Sequence, residues 1–475
     1  MTFNNPADKF INNNANQSGK MVDKEGNYYY VSHPPFAYYF PFFIFKILHI
    51  RPDVLPLQIL NLIFHFISGL FVYFTVCLLS FSRARNLPYR SGVVAFTIYV
   101  FLPVTLWFQG NVYMSDMAVH LLFILGVYTA LKMIIRQWFY SPKYIFFYTL
   151  ILALMIYTSW LGVFFAIGVV VYSLINLRGE VKGFRVLIWS TVLVTFIMLR
   201  LIVYQYSQIN GVGAYVQEML SRYIIRGSLE GTNQGLGHFM FSYLWLVKTL
   251  LYNYVIHYIV IYGLIGAFLW FAFSRKKLKI VFSENGYRFI WLSVTPVLLL
   301  HVVFLNYSVQ DFSVMYASLF FSVLMGILYD KVKKSQAIPI RRMQVGLVAA
   351  VLLMVVQYQL MNFTGVPNAR QFDNHRLSGE ILKQSPKEDV LFILSKEASP
   401  QEVFYAQRNV RLALSNADVI HFLNERDSKR GLVFERDTSF SCQRAGSFST
   451  SLRLKTIFQK DSDIFSVIAV DTVSK

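Results

Sequence analysis

Apolar residues in this chain gather in long unbroken runs, not in the alternation of strands or the narrow stripe of a surface helix. A helix crossing about 30 Å of hydrocarbon needs ~20 mostly apolar residues. Runs of that order occupy positions 57–81, 91–109, 116–135, 144–160, 161–176, 186–204, 250–273, 289–305, 312–330 and 345–361, which predicts ten transmembrane helices. The fourth and fifth are short and are parted only by Thr158, Ser159 and Trp160. The stretch from Pro35 to Ile50 is aromatic but carries Pro41 and Lys46, which suits a helix lying at the interface better than one that spans.

The pattern changes near Phe363. Short apolar runs at 390–394, 419–423, 431–434 and 464–470 alternate with polar, helix-compatible stretches. This predicts a small α/β domain over 363–475, within the size range of an independent fold. The organisation is then a first loop with an interfacial helix (1–56), an all-α polytopic membrane bundle (57–362) and a soluble tail domain.

Composition supports that division. Of 475 residues, 55% are hydrophobic and 15% charged, with a mean hydropathy of +0.46, which excludes a soluble enzyme. The 44 Lys and Arg outnumber the 25 Asp and Glu, and such an excess usually prompts a nucleic-acid reading. Its location argues otherwise. From Phe363 onward 16 basic residues face 14 acidic ones, so the excess lies in the hydrophobic body, where membrane topology places positive charge. Cys77 and Cys442 make no disulfide framework.

Loop charge sets the sidedness. The connections 82–90, 136–143, 177–185, 274–288 and 331–344 hold 3, 2, 3, 5 and 5 Lys or Arg. The alternate connections 110–115, 158–160 and 306–311 hold none, and 205–240 holds two. By the positive-inside rule, the N-terminal 56 residues, the 205–240 loop and the tail then share the outer side of a plasma (inner) membrane. The first 32 residues are polar and carry no signal-peptide core, so the expectation is either N-out insertion or a further spanning helix upstream of Met1.

Two outer-face acids sit where a helix meets its loop. Asp116 opens the third span and Asp311 the ninth. Either could be a helix N-cap, favoured by the helix dipole. Either could also be functional, since an ionisable group at the membrane edge inside a bundle is a candidate by default. The most specific local feature is His33-Pro34-Pro35, preceded by Tyr28, Tyr29 and Tyr30. Two prolines fix an extended entry and start the next helix with locked backbone angles, which would hold the imidazole in a set direction.

A His-Pro-Pro turn in the first outer loop, an aromatic interfacial helix directly after it, an acid at the start of a later outer-facing helix and an outer tail together resemble the GT-C glycosyltransferases. More narrowly, the chain resembles the branch related to protein O-mannosyltransferases and lipid A aminoarabinose transferases. The resemblance runs over about residues 28–362, with a tail phrase at Phe404–Asn409. It implies transfer of a sugar from a polyprenyl-phosphate carrier to a hydroxyl acceptor at the outer face, in contact with membrane lipids and with no nucleic acid.

Phosphate is already a good leaving group, so this donor needs no general acid of the kind ordinary glycosides require. One carboxylate base plus cationic help for the departing phosphate suffices in principle. The resemblance places the base in the first outer loop, where Asp8 is the matching acid, 25 residues before His33 and without an adjoining second acid. Asp116 resembles the family's second acid. His33 and Tyr30 would orient acceptor or donor phosphate, and Asp311 would contact substrate. Arg222 and Arg226 lie four apart on an amphipathic stretch, hence on one face, where two guanidinium forks could grip a phosphate or meet lipid headgroups. Lys248 would either bind phosphate or snorkel from an interfacial helix. No motif demands a cofactor, although acidic side chains with phosphate could hold a divalent cation. Two other readings stay open: a transporter or flippase of lipid-linked saccharides, and a degenerate, non-catalytic transferase.

Overall fold

The structure, a computed structural model, describes residues 20–22, 28–31, 33–50, 54–80, 89–110, 115–176, 181–226, 236–274, 283–309, 311–335, 339–364 and 383, and five strands between 390 and 472. Two compact units divide the chain: residues 31–361 form one, and residues 1–30 with 362–475 the other. The tail boundary falls where the apolar pattern ends. The aromatic segment after the His-Pro-Pro turn belongs to the helical unit, not to the polar N-terminus.

The helical unit contains α1 (Phe36–Ile47), α2 (Val54–Leu79), α3 (Tyr89–Phe101), α4 (Pro103–Gln109), α5 (Ser115–Arg136), α6 (Pro142–Thr158), α7 (Leu161–Asn176), α8 (Val181–Arg226), α9 (Leu236–Ser274), α10 (Glu284–Val303), α11 (Ser318–Ser335) and α12 (Ile340–Thr364). Two 3-10 segments, Leu305–Val309 and Asp311–Ala317, link α10 to α11. Among the described residues, seven helices are long and apolar enough to span, or eight if the bent pair α3 and α4 is one. The short α6 and α7 fall below the spanning length, so length alone stops at eight where the sequence pattern predicts ten.

Local chemistry explains the departures from simple spans. Pro103 cannot donate to the helix and its ring disfavours helical backbone at Leu102, which is extended (ψ 122°). The pair bends there by 54°. In α8 the break lies at Asn210 and Gly211, and Gly211 adopts φ 84°, a conformation that only glycine reaches without strain. The 205–240 loop predicted from sequence is therefore mostly helix: α8 continues to Arg226 and α9 starts at Leu236. The residues there are polar but helix-compatible, and the chain leaves helical geometry only at Asn210 and Gly211 before resuming it.

Small residues let the helices close in, the usual device where lipid supplies no hydrophobic drive. A side chain on Gly162 would lie 2.5 Å from the backbone nitrogen of Ile156, so the tight turn from α6 to α7 needs glycine. A side chain on Gly326 would meet the Ser91 carbonyl at 2.8 Å, where α11 crosses α3. Together, α5 and α11 are the most enclosed spans, with 67% and 72% of their apolar windows buried.

In the other unit, β1 (Lys20–Val22) and β2 (Tyr28–Tyr30) form an antiparallel ribbon. The tail carries β3 (Val390–Leu394), β4 (Val410–Ala413), β5 (Arg430–Glu435), β6 (Leu452–Lys460) and β7 (Phe465–Thr472) in the order β4-β3-β5-β7-β6. Strands β4, β3 and β5 are parallel; β5, β7 and β6 are antiparallel. Parallel neighbours require crossover connections, which helices usually supply. Those connections, and the apolar run at 419–423, lie outside the described residues. Sequence patterning found β3, β5 and β7; it missed β4 and β6, in which charged residues interrupt the apolar run.

Candidate active site

Asp116 lies in the first turn of α5, where unpaired backbone N–H groups and the helix dipole favour a carboxylate. It is only 5% exposed, so the residue is enclosed by protein, not dissolved at a loop. The Tyr316 hydroxyl donates to its Oδ1 at 2.5 Å. One turn further along α5, His120 Nε2 lies 3.1 Å from the Ser318 hydroxyl. The end of the second 3-10 segment and the start of α11 thus hold two successive turns of α5.

That segment is itself fixed. Tyr258 of α9 donates to the Val314 carbonyl at 2.7 Å, and Ser313 donates to the Tyr307 carbonyl at 3.1 Å. Tyr254, one turn before Tyr258, is hydrogen-bonded to His301 Nε2 at 3.0 Å. His301 is accordingly a packed helix residue, as its apolar surroundings in the sequence suggest. Behind Asp116 the aromatic chain continues into the bundle. The His120 ring lies 5.9 Å from Tyr316 and 5.9 Å from Tyr99, and Tyr99 stacks on His65 at 5.3 Å. His65 Nε2 is 3.0 Å from the Val100 carbonyl; a carbonyl only accepts, so that nitrogen carries the proton. Ionisable groups this deep in a membrane bundle are functional candidates by default.

The remaining predicted residues take separate places. At His33, the Tyr206 hydroxyl of α8 donates to the backbone carbonyl at 2.5 Å, and Pro34 and Pro35 are buried. The turn feeds α1, whose Phe40 ring lies 5.6 Å from Phe64 of α2. Phe45 of α1 shares a buried cluster with Leu57, Leu60 and Ala118, and Ala118 is two residues from Asp116. Arg222 Nε lies 3.7 Å from Glu218 Oε1 in the second arm of α8. Helix α8 packs on the first 3-10 segment, and in its second arm the Tyr223 ring lies 6.4 Å from Phe304, the residue just before that segment. Lys248 is exposed on α9, the helix that packs against both 3-10 segments. Asp311 begins the second 3-10 segment, so the ninth predicted span starts there with a tighter turn. The side chains of Tyr30, Arg226 and Asp311, and the whole of Asp8, lie outside the described residues.

Sequence reasoning missed Tyr316, Ser318, Tyr258 and His120. Only His120 left a signal, four residues after Asp116 and so on the same helix face. Among the described residues no three His, Cys, Asp or Glu side chains gather to hold a metal ion.

The helical unit is a bundle of which, among the described residues, seven or eight helices are long and apolar enough to cross a membrane. Solved structures with this fold include ArnT from Cupriavidus metallidurans bound to undecaprenyl phosphate, at a TM-score of 0.59 and 10% identity, covering 92% of this chain and 88% of that one. ArnT from the same organism in the apo state matches at a TM-score of 0.58, again with 10% identity, 92% and 88% coverage. At that identity the likeness is one of fold. No family model and no curated protein matches the sequence.

Proposed function

We propose that this protein is a membrane glycosyltransferase that moves a sugar from a polyprenyl-phosphate donor to a hydroxyl acceptor on the outer face of the membrane. The observation that carries this reading is an enclosed carboxylate, Asp116, the one buried acid among the described residues, held by Tyr316 at one end of a bundle with the ArnT fold. The undecaprenyl phosphate bound to ArnT, which shares the fold, supports a lipid-phosphate donor.

In the proposed reaction the acceptor O–H gives its proton to the Asp116 carboxylate as its oxygen attacks the anomeric carbon. The bond from that carbon to the phosphate oxygen breaks, and the polyprenyl phosphate leaves with the electron pair. A positioned base of this kind contributes roughly 10²- to 10⁴-fold. Arg222, Arg226 and Lys248 are assigned to the phosphate, and His33, Tyr30 and Asp311 to orienting donor or acceptor. Asp8 is a second candidate carboxylate from the first loop. Sparse acidic chemistry is enough, because the leaving phosphate needs no protonation.

The test is reconstitution of the full chain in vesicles with a labelled sugar on undecaprenyl phosphate and a panel of hydroxyl acceptors. Appearance of a new glycosidic bond is the expected result. Label reaching the opposite leaflet with its carrier linkage intact would replace the transferase reading with a flippase.

A further inference from the structure

Gln109, the last residue of α4, is completely buried, and neither its amide oxygen nor its amide nitrogen meets a hydrogen-bond partner. A buried amide with both ends unmade is costly, and an apolar side chain of the same shape would remove that cost. Helix α4 gains nothing from the amide, because the Gly110 nitrogen already bonds to the Leu106 carbonyl at 2.8 Å.

The position points to a ligand. The α4 chain ends where α5 begins, separated from Asp116 by a short connection, so Gln109 and Asp116 lie at the same end of the bundle. Helix α4 packs against the 3-10 segment Asp311–Ala317, which presents Tyr316 to Asp116. The Phe108 ring, next to Gln109, lies 6.4 Å from Phe312 at the start of that segment and 6.4 Å from His257 of α9. One segment therefore packs against the helix that carries the unbonded amide and also bonds the enclosed carboxylate.

The chemistry narrows the class. A primary amide offers a donor and an acceptor side by side. An ionised phosphate only accepts, and an isoprenoid chain does neither. A sugar ring, whose hydroxyls each donate and accept, matches both halves. We propose that Gln109 binds ring hydroxyls of the donor sugar and so sets which sugar is transferred. This rests on the transferase reading above.

The test compares wild type, Gln109→Leu and Asp116→Asn, each full length, with an undecaprenyl-phosphate-linked hexose and its mono-deoxy analogues. Leucine keeps the side chain's bulk and drops its polarity. The expected result is a donor KM raised roughly 10- to 100-fold by Gln109→Leu, the worth of one or two lost hydrogen bonds. Discrimination between the hexose and one deoxy analogue should vanish in the variant, while its melting temperature without substrate stays equal or rises. Gln109→Asn, with the same groups one methylene shorter, should keep part of the discrimination. An unchanged KM with intact discrimination in Gln109→Leu overturns the proposal, as does a lowered melting temperature with proportionally lowered kcat, which marks a structural amide. If Gln109→Leu behaves as wild type while Asp116→Asn is dead, only Gln109 loses its role. If wild type transfers none of the sugars, the transferase reading fails and the assignment falls with it.

Discussion

Helices α5 and α11 are as apolar as α8, α9 and α12, yet their surroundings are opposite. About two thirds or more of the apolar windows of α5 and α11 are buried, against 17% for each of the other three. The enclosed pair carries Asp116, His120 and Ser318, with Tyr316 on the turn leading into α11. The open helices show Trp189, Phe196, Trp270 and Leu353 to the outside. Hydropathy therefore identifies a span, but only tertiary cover lets a span hold chemistry, since unsatisfied polar groups facing hydrocarbon cost several kcal/mol. Where α9 does contribute polar groups, at Tyr254 and Tyr258, they turn toward His301 and the Val314 carbonyl.

The contrast can be attacked directly. Phe123 on α5 is fully buried, edge-on to Phe165 at 6.0 Å, so Phe123→Ala should cost about 3–5 kcal/mol. Leu353 on α12 is 57% exposed, and Leu353→Ala should cost about 0.5 kcal/mol or less. Thermal unfolding in one lipid environment measures both; equal losses would erase the distinction. Next in size, Gly162→Ala should destabilise by roughly 1–3 kcal/mol, because the obstructing atoms are backbone and have little room to yield. A neutral melting curve there would mean that the turn between α6 and α7 is slack.

Smaller still, Tyr316→Phe should lower kcat by roughly 10-fold, about 1.4 kcal/mol, with donor KM unchanged, as expected for a hydrogen bond that orients the base. A rise in KM alone would place Tyr316 on the substrate. The smallest effect belongs to the exposed side of the comparison. Glu218→Ala removes one partner of Arg222 in a partly exposed i,i+4 pair, and stability should move by about 0.5 kcal/mol or less. A larger shift in the same melting assay would show that the second arm of α8 is part of the enclosed core.

Much of the bundle was legible because each membrane helix must be written as a long apolar run; the described parts of the ten runs lie mainly on helices, of which seven or eight are long enough to span. Breaks were harder to read. Leu102-Pro103 bends a helix without interrupting the 91–109 apolar run, whereas Asn210-Gly211 lies in a polar stretch that reads as loop although helix continues on both sides of it. The site was legible only in part. Asp116 stood out as an acid at a helix mouth, a position that ordinary capping also explains. Tyr316 did not, because a tyrosine within an aromatic, apolar stretch reads as packing until its partner 200 residues away is known. Gln109 is simply the last position of the 91–109 run in the sequence, and its two unmade bonds exist only in three dimensions.

Asp116 is the point on which the functional reading turns, and one measurement reaches it most directly: single-turnover transfer by Asp116→Asn, with undecaprenyl-phosphate donor binding followed on the same sample. The account predicts a rate lowered by roughly 10²- to 10⁴-fold, the contribution of a positioned base, while donor affinity stays within about twofold of wild type. A variant that binds donor normally and still transfers sugar at the wild-type rate would contradict it.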